Sequence, residues 1–142
     1  MKNELSIYIV VLTTVSLLFF LRIVAQLIQW LYPVGFLPQF DEWQSGVLPY
    51  PFLLFTQIVI LFFLAKTIIR HVKGSVKVGR RRGIIFLLIG CVYFLIMATR
   101  LFASIYFNKD DSWFFDGVLA AFFHVILSCF LITHGHYLCW KK

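Results

Sequence analysis

The sequence predicts an all-α integral membrane protein, with four transmembrane helices in a compact bundle. Three observations predict it. Of 142 residues, 61% are hydrophobic and 13% charged, about half the charge of a soluble domain. The apolar residues gather into four stretches, about 6–31, 48–69, 84–107 and 115–138, each near the roughly 20 residues that span a bilayer. The connections between the stretches alternate in charge. Residues 1–142 read as a single four-helix transmembrane domain, with nothing left over for a soluble one.

The first stretch is rich in β-branched and aromatic residues, which in water would favour a strand. In lipid an open strand leaves its backbone unpaired, so a helix is expected. Its apolar run exceeds the roughly 7–15 residues of a signal-peptide core and has no small-residue cleavage site, so it is expected to stay. Trp30 and Tyr32 suit an interface, and Pro33, Gly35 and Pro38 then break the helix. The loop over about 33–47 mixes Phe36, Leu37, Phe40 and Trp43 with polar groups, which predicts a short interfacial segment. Pro49 and Pro51 fall in the first turn of the second helix, where a missing N–H costs little.

The connection over about 70–83 carries Arg70, Lys73, Lys77, Arg80, Arg81 and Arg82, with Gly74, Ser75 and Gly79 between them. It reads as an exposed loop that Gly83 closes. The outer connections instead carry Asp41 and Glu42, and Asp110, Asp111 and Asp116. The positive-inside rule then puts the basic loop and both termini in the cytoplasm, in a bacterial-type inner or plasma membrane. Contact with anionic headgroups follows from the same basic residues. No signature of a nucleic-acid module accompanies them, so nucleic acid is not an expected partner. The fourth helix is expected to end near Gly135. Cys91 and Cys129 read as buried small hydrophobes, and the absence of a CxxC pair argues against thiol-redox chemistry.

The two halves look alike. Arg22, Asp41-Glu42-Trp43 and Gly46-Val47-Leu48 recur as Arg100, Asp110-Asp111-Ser112-Trp113 and Gly117-Val118-Leu119. Two crossings per unit make this a parallel repeat of hairpins, related by an axis along the membrane normal. Chance likeness between two greasy hairpins is the alternative.

Each helix brings one polar group to a single outer-half layer: Arg22, Gln57, Arg100 and His124. Arg22, Gln26 and Gln29 share one helix face, as do Tyr93, Met97, Arg100 and Ser104, and His124 with Ser128. Two guanidiniums favour a carboxylate, phosphate or other anion through forked hydrogen bonds. His124, with a reference pKa near about 6.5, could respond to protons. The bland alternatives are snorkelling arginines, a glutamine that ties helices together and a hydrogen-bonded core histidine. No catalytic set stands out. A haem or metal on His71, His134 and His136 is a weak alternative, because His71 reads as exposed just beyond its helix and His134 and His136 point apart.

These features lead to three functional expectations. The first is a small accessory or interaction subunit of a membrane complex, non-enzymatic and without cofactor, in contact with lipid and forming a homo-oligomer or larger assembly. The second is a binder or transporter of a small anion or lipid headgroup through Arg22, Gln26, Gln57, Arg100 and His124. The third is a redox subunit holding haem or quinone.

Overall fold

The computed structural model describes residues 2–44, 48–106 and 117–140. Every regular element among them is helical: α1 (Lys2–Leu31), a single 3-10 turn (Phe40–Trp43), α2 (Tyr50–Val72), α3 (Arg80–Tyr106) and α4 (Val118–Trp140). All four long helices are long and apolar enough to cross a membrane. Proline sets the start of α2: Pro49 caps it and Pro51 sits in its first turn. Gly74 ends the α2 region in a left-handed conformation, φ +63°, that a side chain would resist.

The helices pack in the spatial order α2, α1, α4, α3, with α1 and α4 as the central pair. The backbones of α2 and α3 stay apart, which leaves that side of the bundle open. Between α1 and α2, the spacing comes from bulky residues. Leu12, Val15, Phe19 and Ile23 of α1 form a core with Leu64 of α2 and Phe130 of α4.

The α3–α4 seam is of another kind. Ala121, Ser128 and Gly135 lie seven apart on α4 and are all buried. Gly83 and Gly90 lie seven apart on α3 and are buried too. A Cβ added at Gly135 would come within 2.7 Å of the Leu87 backbone nitrogen, and one at Gly83 within 2.7 Å of the Cys139 nitrogen. Small residues at such spacing let two apolar helices bring their backbones together. In lipid, where no hydrophobic force joins helices, that dispersion contact matters most.

Several boundaries differ from expectation. α2 continues to Val72 and α3 begins at Arg80, so the exposed basic connection shrinks to 73–79. Gly83 is a packing residue inside α3, not the end of a loop. α4 runs past Gly135 to Trp140. Long Arg stems permit this, since their heads can reach polar surroundings while the backbone stays helical. Cys91 is exposed on α3, against the expectation that it is buried. The outer connection that carries Asp110, Asp111, Trp113 and Asp116 lies outside the described residues, as do Ser45, Gly46 and Val47.

Candidate functional site in the outer half of the bundle

The α1 polar stripe lies inward. Arg22, Gln26 and Gln29 are all buried, Gln26 completely. Gln57 of α2 and Arg100 of α3 are buried as well. Tyr93 of α3 and His124 of α4 are half-buried, and the Tyr93 hydroxyl and His124 Nδ1 share a hydrogen bond at 2.5 Å. All five sequence-predicted residues thus sit inside the helix assembly, where the apolar surroundings that suit their neighbours leave each polar group dependent on the others.

Arg22 is held by a loop. After α1, Gln29 Oε1 accepts the Val34 N–H at 3.0 Å, which turns the chain back over its own helix end. The Trp43 indole N–H donates to the Pro38 carbonyl at 3.1 Å. That folds the 3-10 turn inward and buries the Trp43 ring. The Trp43 carbonyl then accepts from Arg22 Nη2 at 2.8 Å. Phe123 of α4 completes the enclosure. Its ring stacks on Trp43 at 6.5 Å, and the Arg22 guanidinium carbon lies 5.4 Å from the ring centre. A cation held against an aromatic face gains about 2 kcal/mol when desolvated. Trp43 was expected at the interface, and its inward role carries no sequence signal, since loops lack the periodicity that identifies a buried face.

The glutamines of α1 and α2 meet. Gln57 Nε2 donates to Gln26 Oε1 at 3.2 Å. Tyr50, at the start of α2, is buried beneath Trp30 and Phe40. Several polar atoms in this layer have no hydrogen-bond partner among the described residues: Arg22 Nε, Gln26 Nε2, Gln57 Oε1 and the Tyr50 hydroxyl. Three can donate and two can accept, because the hydroxyl does both. A buried polar group left unmet costs about 1–3 kcal/mol. The layer thus carries unmet hydrogen-bonding capacity beside a buried positive charge.

The histidines at the other end were placed differently by the sequence. His71 is fully buried inside α2, and its Nδ1 donates to the Thr67 carbonyl at 2.9 Å. The expected exposed position beyond the helix is corrected, because the helix runs on through Arg70. His71 meets His134 edge to face, with ring centres 5.1 Å apart. His136 points elsewhere and hydrogen-bonds the Tyr8 hydroxyl at 2.6 Å. Among the described residues no group of three or more His, Cys, Asp or Glu is placed to hold a metal ion.

Comparison with family models, with curated proteins and with solved structures finds no match for this chain.

Proposed function

We propose that the chain is an integral membrane protein whose buried outer-half layer binds a small anionic group, a carboxylate or phosphate, on a free molecule or a lipid headgroup. The observation that carries this reading is the state of Arg22. The residue is 6% exposed, its guanidinium donates to a neutral carbonyl, and it has no carboxylate partner among the described residues. An uncompensated charge in a low-dielectric interior costs several kcal/mol. A bound anion offsets that cost, and the unpartnered Gln26 Nε2 and Tyr50 hydroxyl in the same layer are donors that can contact it. Intramembrane charges of this kind mark ligand or ion sites more often than not. The basic connection and both termini lie in the cytoplasm in this reading, so the site opens toward the outer leaflet.

The test uses full-length protein in detergent micelles, with binding of acetate, inorganic phosphate and an anionic phospholipid measured separately. Arg22→Gln is expected to abolish binding of whichever probe is held. Arg22→Lys should retain part of it, since lysine offers a point charge without the fork. Equal affinity of wild type and Arg22→Gln for every probe overturns the reading. Orientation is tested by impermeant thiol labelling of cysteines placed at Ser45 and Ser75 in intact cells. Labelling at Ser75 and protection at Ser45 would reverse it.

A second reading, an accessory subunit of a membrane complex, is favoured by the open side between α2 and α3. That gap leaves room for a partner helix, and Phe55 and Phe62 of α2 are largely exposed to a partner or to lipid. No haem belongs to either reading, and the purified protein is expected to lack a Soret band.

A further inference from the structure

At the opposite end of the bundle, the splayed α2 and α3 are joined by the short connection 73–79. The wedge between them encloses a cavity of about 610 Å³, within the roughly 300–1,000 Å³ usual for ligand pockets. Three cations from three elements line it: Arg70 from α2, Lys77 from the connection and Arg82 from the first turn of α3. His134 of α4 lines it too, and its Nδ1 is buried without a hydrogen-bond partner. Among the described residues no acidic side chain lines the space.

Topology alone explains a basic loop, because the positive-inside rule asks only for a number of charges near the membrane end. It does not explain why these three converge. Lys73, Arg80 and Arg81 satisfy the same rule without lining the cavity. Like charges gathered around one space repel each other unless a counter-charge occupies it. Two guanidiniums supply forked donors that fit phosphate oxygens, and a lysine adds a mobile point charge. The hydroxyls of Thr67 and Ser75, also in the lining, donate to the Phe63 and Arg70 carbonyls. The charged groups and His134 therefore determine what binds.

We propose that this wedge is a binding site for a phosphate-bearing anion, carried either by an anionic lipid headgroup or by a free phosphorylated small molecule. It is separate from the outer layer and does not rest on the reading of Arg22. A lipid source places the phosphate at headgroup depth, with its acyl chains along the open α2–α3 side. Basic pockets between helices recognise headgroups in this way.

The experiment uses the full chain in detergent. One arm measures retention of phosphatidylglycerol against phosphatidylcholine by native mass spectrometry. The other measures glycerol 3-phosphate binding by calorimetry. Three variants are compared with wild type: Arg70→Gln/Arg82→Gln, the loop variant Lys77→Gln, and the charge-matched control Lys73→Gln/Arg81→Gln. Wild type should prefer phosphatidylglycerol by about tenfold, a difference of about 1.4 kcal/mol. The cavity pair should erase that preference, Lys77→Gln should weaken it by about threefold, and the control should leave it within about twofold. The same dependence in the glycerol phosphate arm alone assigns the site to a free ligand. Equal losses from the control pair and the cavity pair overturn the proposal, as does wild type that binds neither probe. If the cavity pair lowers the unfolding temperature, Lys77→Gln decides, since it lies outside every helix. Arg22→Gln should leave these affinities unchanged, so failure here and failure at the outer layer are told apart.

Discussion

Where α3 meets α4, a methyl group has nowhere to go. Where α1 meets α2, whole leucine and phenylalanine side chains hold the backbones apart. Both hairpins are apolar, and both carry a buried arginine toward the same end, Arg22 in one and Arg100 in the other. The difference lies in what the seam is made of. Gly83, Gly90 and Gly135 allow backbone against backbone, and such a contact tolerates almost no change in volume. The Leu12, Phe19 and Leu64 seam spreads its contacts over flexible side chains. It can give way, and it leaves α2 free to diverge from α3. The rigid hairpin is a platform and the looser one sets the width of the open side.

The largest expected effect breaks the rigid seam. Gly135→Leu would drive a side chain against the Leu87 backbone nitrogen, 2.7 Å from the new Cβ, and nothing flexible stands there to yield. We expect a loss of about 3 kcal/mol or more, at the upper end of overpacking costs. Urea titration in mixed micelles, followed by circular dichroism, measures it. A loss below about 1 kcal/mol would show that the two seams are equally compliant.

Leu12→Ala attacks the looser hairpin. Leu12 is fully buried, but lipid tails are as apolar as its neighbours, so the transfer component largely cancels. What remains is the cavity left behind, and about 2 kcal/mol is expected in the same titration, the low end of large-to-small changes. A greater loss than that of Gly135→Leu would invert the comparison.

Trp43→Phe keeps the ring against Phe123 and removes the indole N–H that reaches Pro38. About 1 kcal/mol is expected, the usual net value of one hydrogen bond. Proteolysis within residues 33–44 should accelerate by about fivefold, consistent with local opening by that amount. An unchanged cleavage rate would mean that the Arg22 contact alone holds the loop.

The smallest effect belongs to Gln57→Leu. It removes one interhelical bond to Gln26, and such bonds average about 0.6 kcal/mol in membranes. Gln26 Oε1 would lose its donor, and the change is expected to read more clearly in ligand affinity at the outer layer than in unfolding. A cost above about 2 kcal/mol would make the glutamine pair a main tie between α1 and α2.

The helix count and the outer polar layer were legible in the sequence for one reason. A charged or amide residue inside an apolar run is conspicuous, and helical spacing says which of them share a face. Arg22, Gln26 and Gln29 could be placed together on that basis alone. The inner end was misread for the opposite reason. Arg70 and Lys73 beside His71 look like a solvated loop, yet long basic side chains let the helix continue and carry His71 inside it. Gly83 was taken as a breaker because arginines precede it. The sevenfold spacing of Gly83 with Gly90, and of Ala121 with Ser128 and Gly135, was the available signal for a close seam. The turn of Trp43 over Arg22 had none, because three hydrogen bonds from an aperiodic segment fix it.

The enclosure of Arg22 also has an order in time. Trp43 leaves the ribosome 80 residues before Phe123, the ring it stacks upon. At about 5–20 residues per second that interval lasts roughly 4–16 s. From the emergence of Val72 onward the first hairpin is complete while its arginine lacks the aromatic wall that α4 provides. A nascent chain halted between these residues should expose Arg22 to modification by a guanidine-reactive reagent, and a finished chain should not. α4 thus seals a site that α1 begins, and a chain cut before Phe123 would leave the Arg22 guanidinium without that wall.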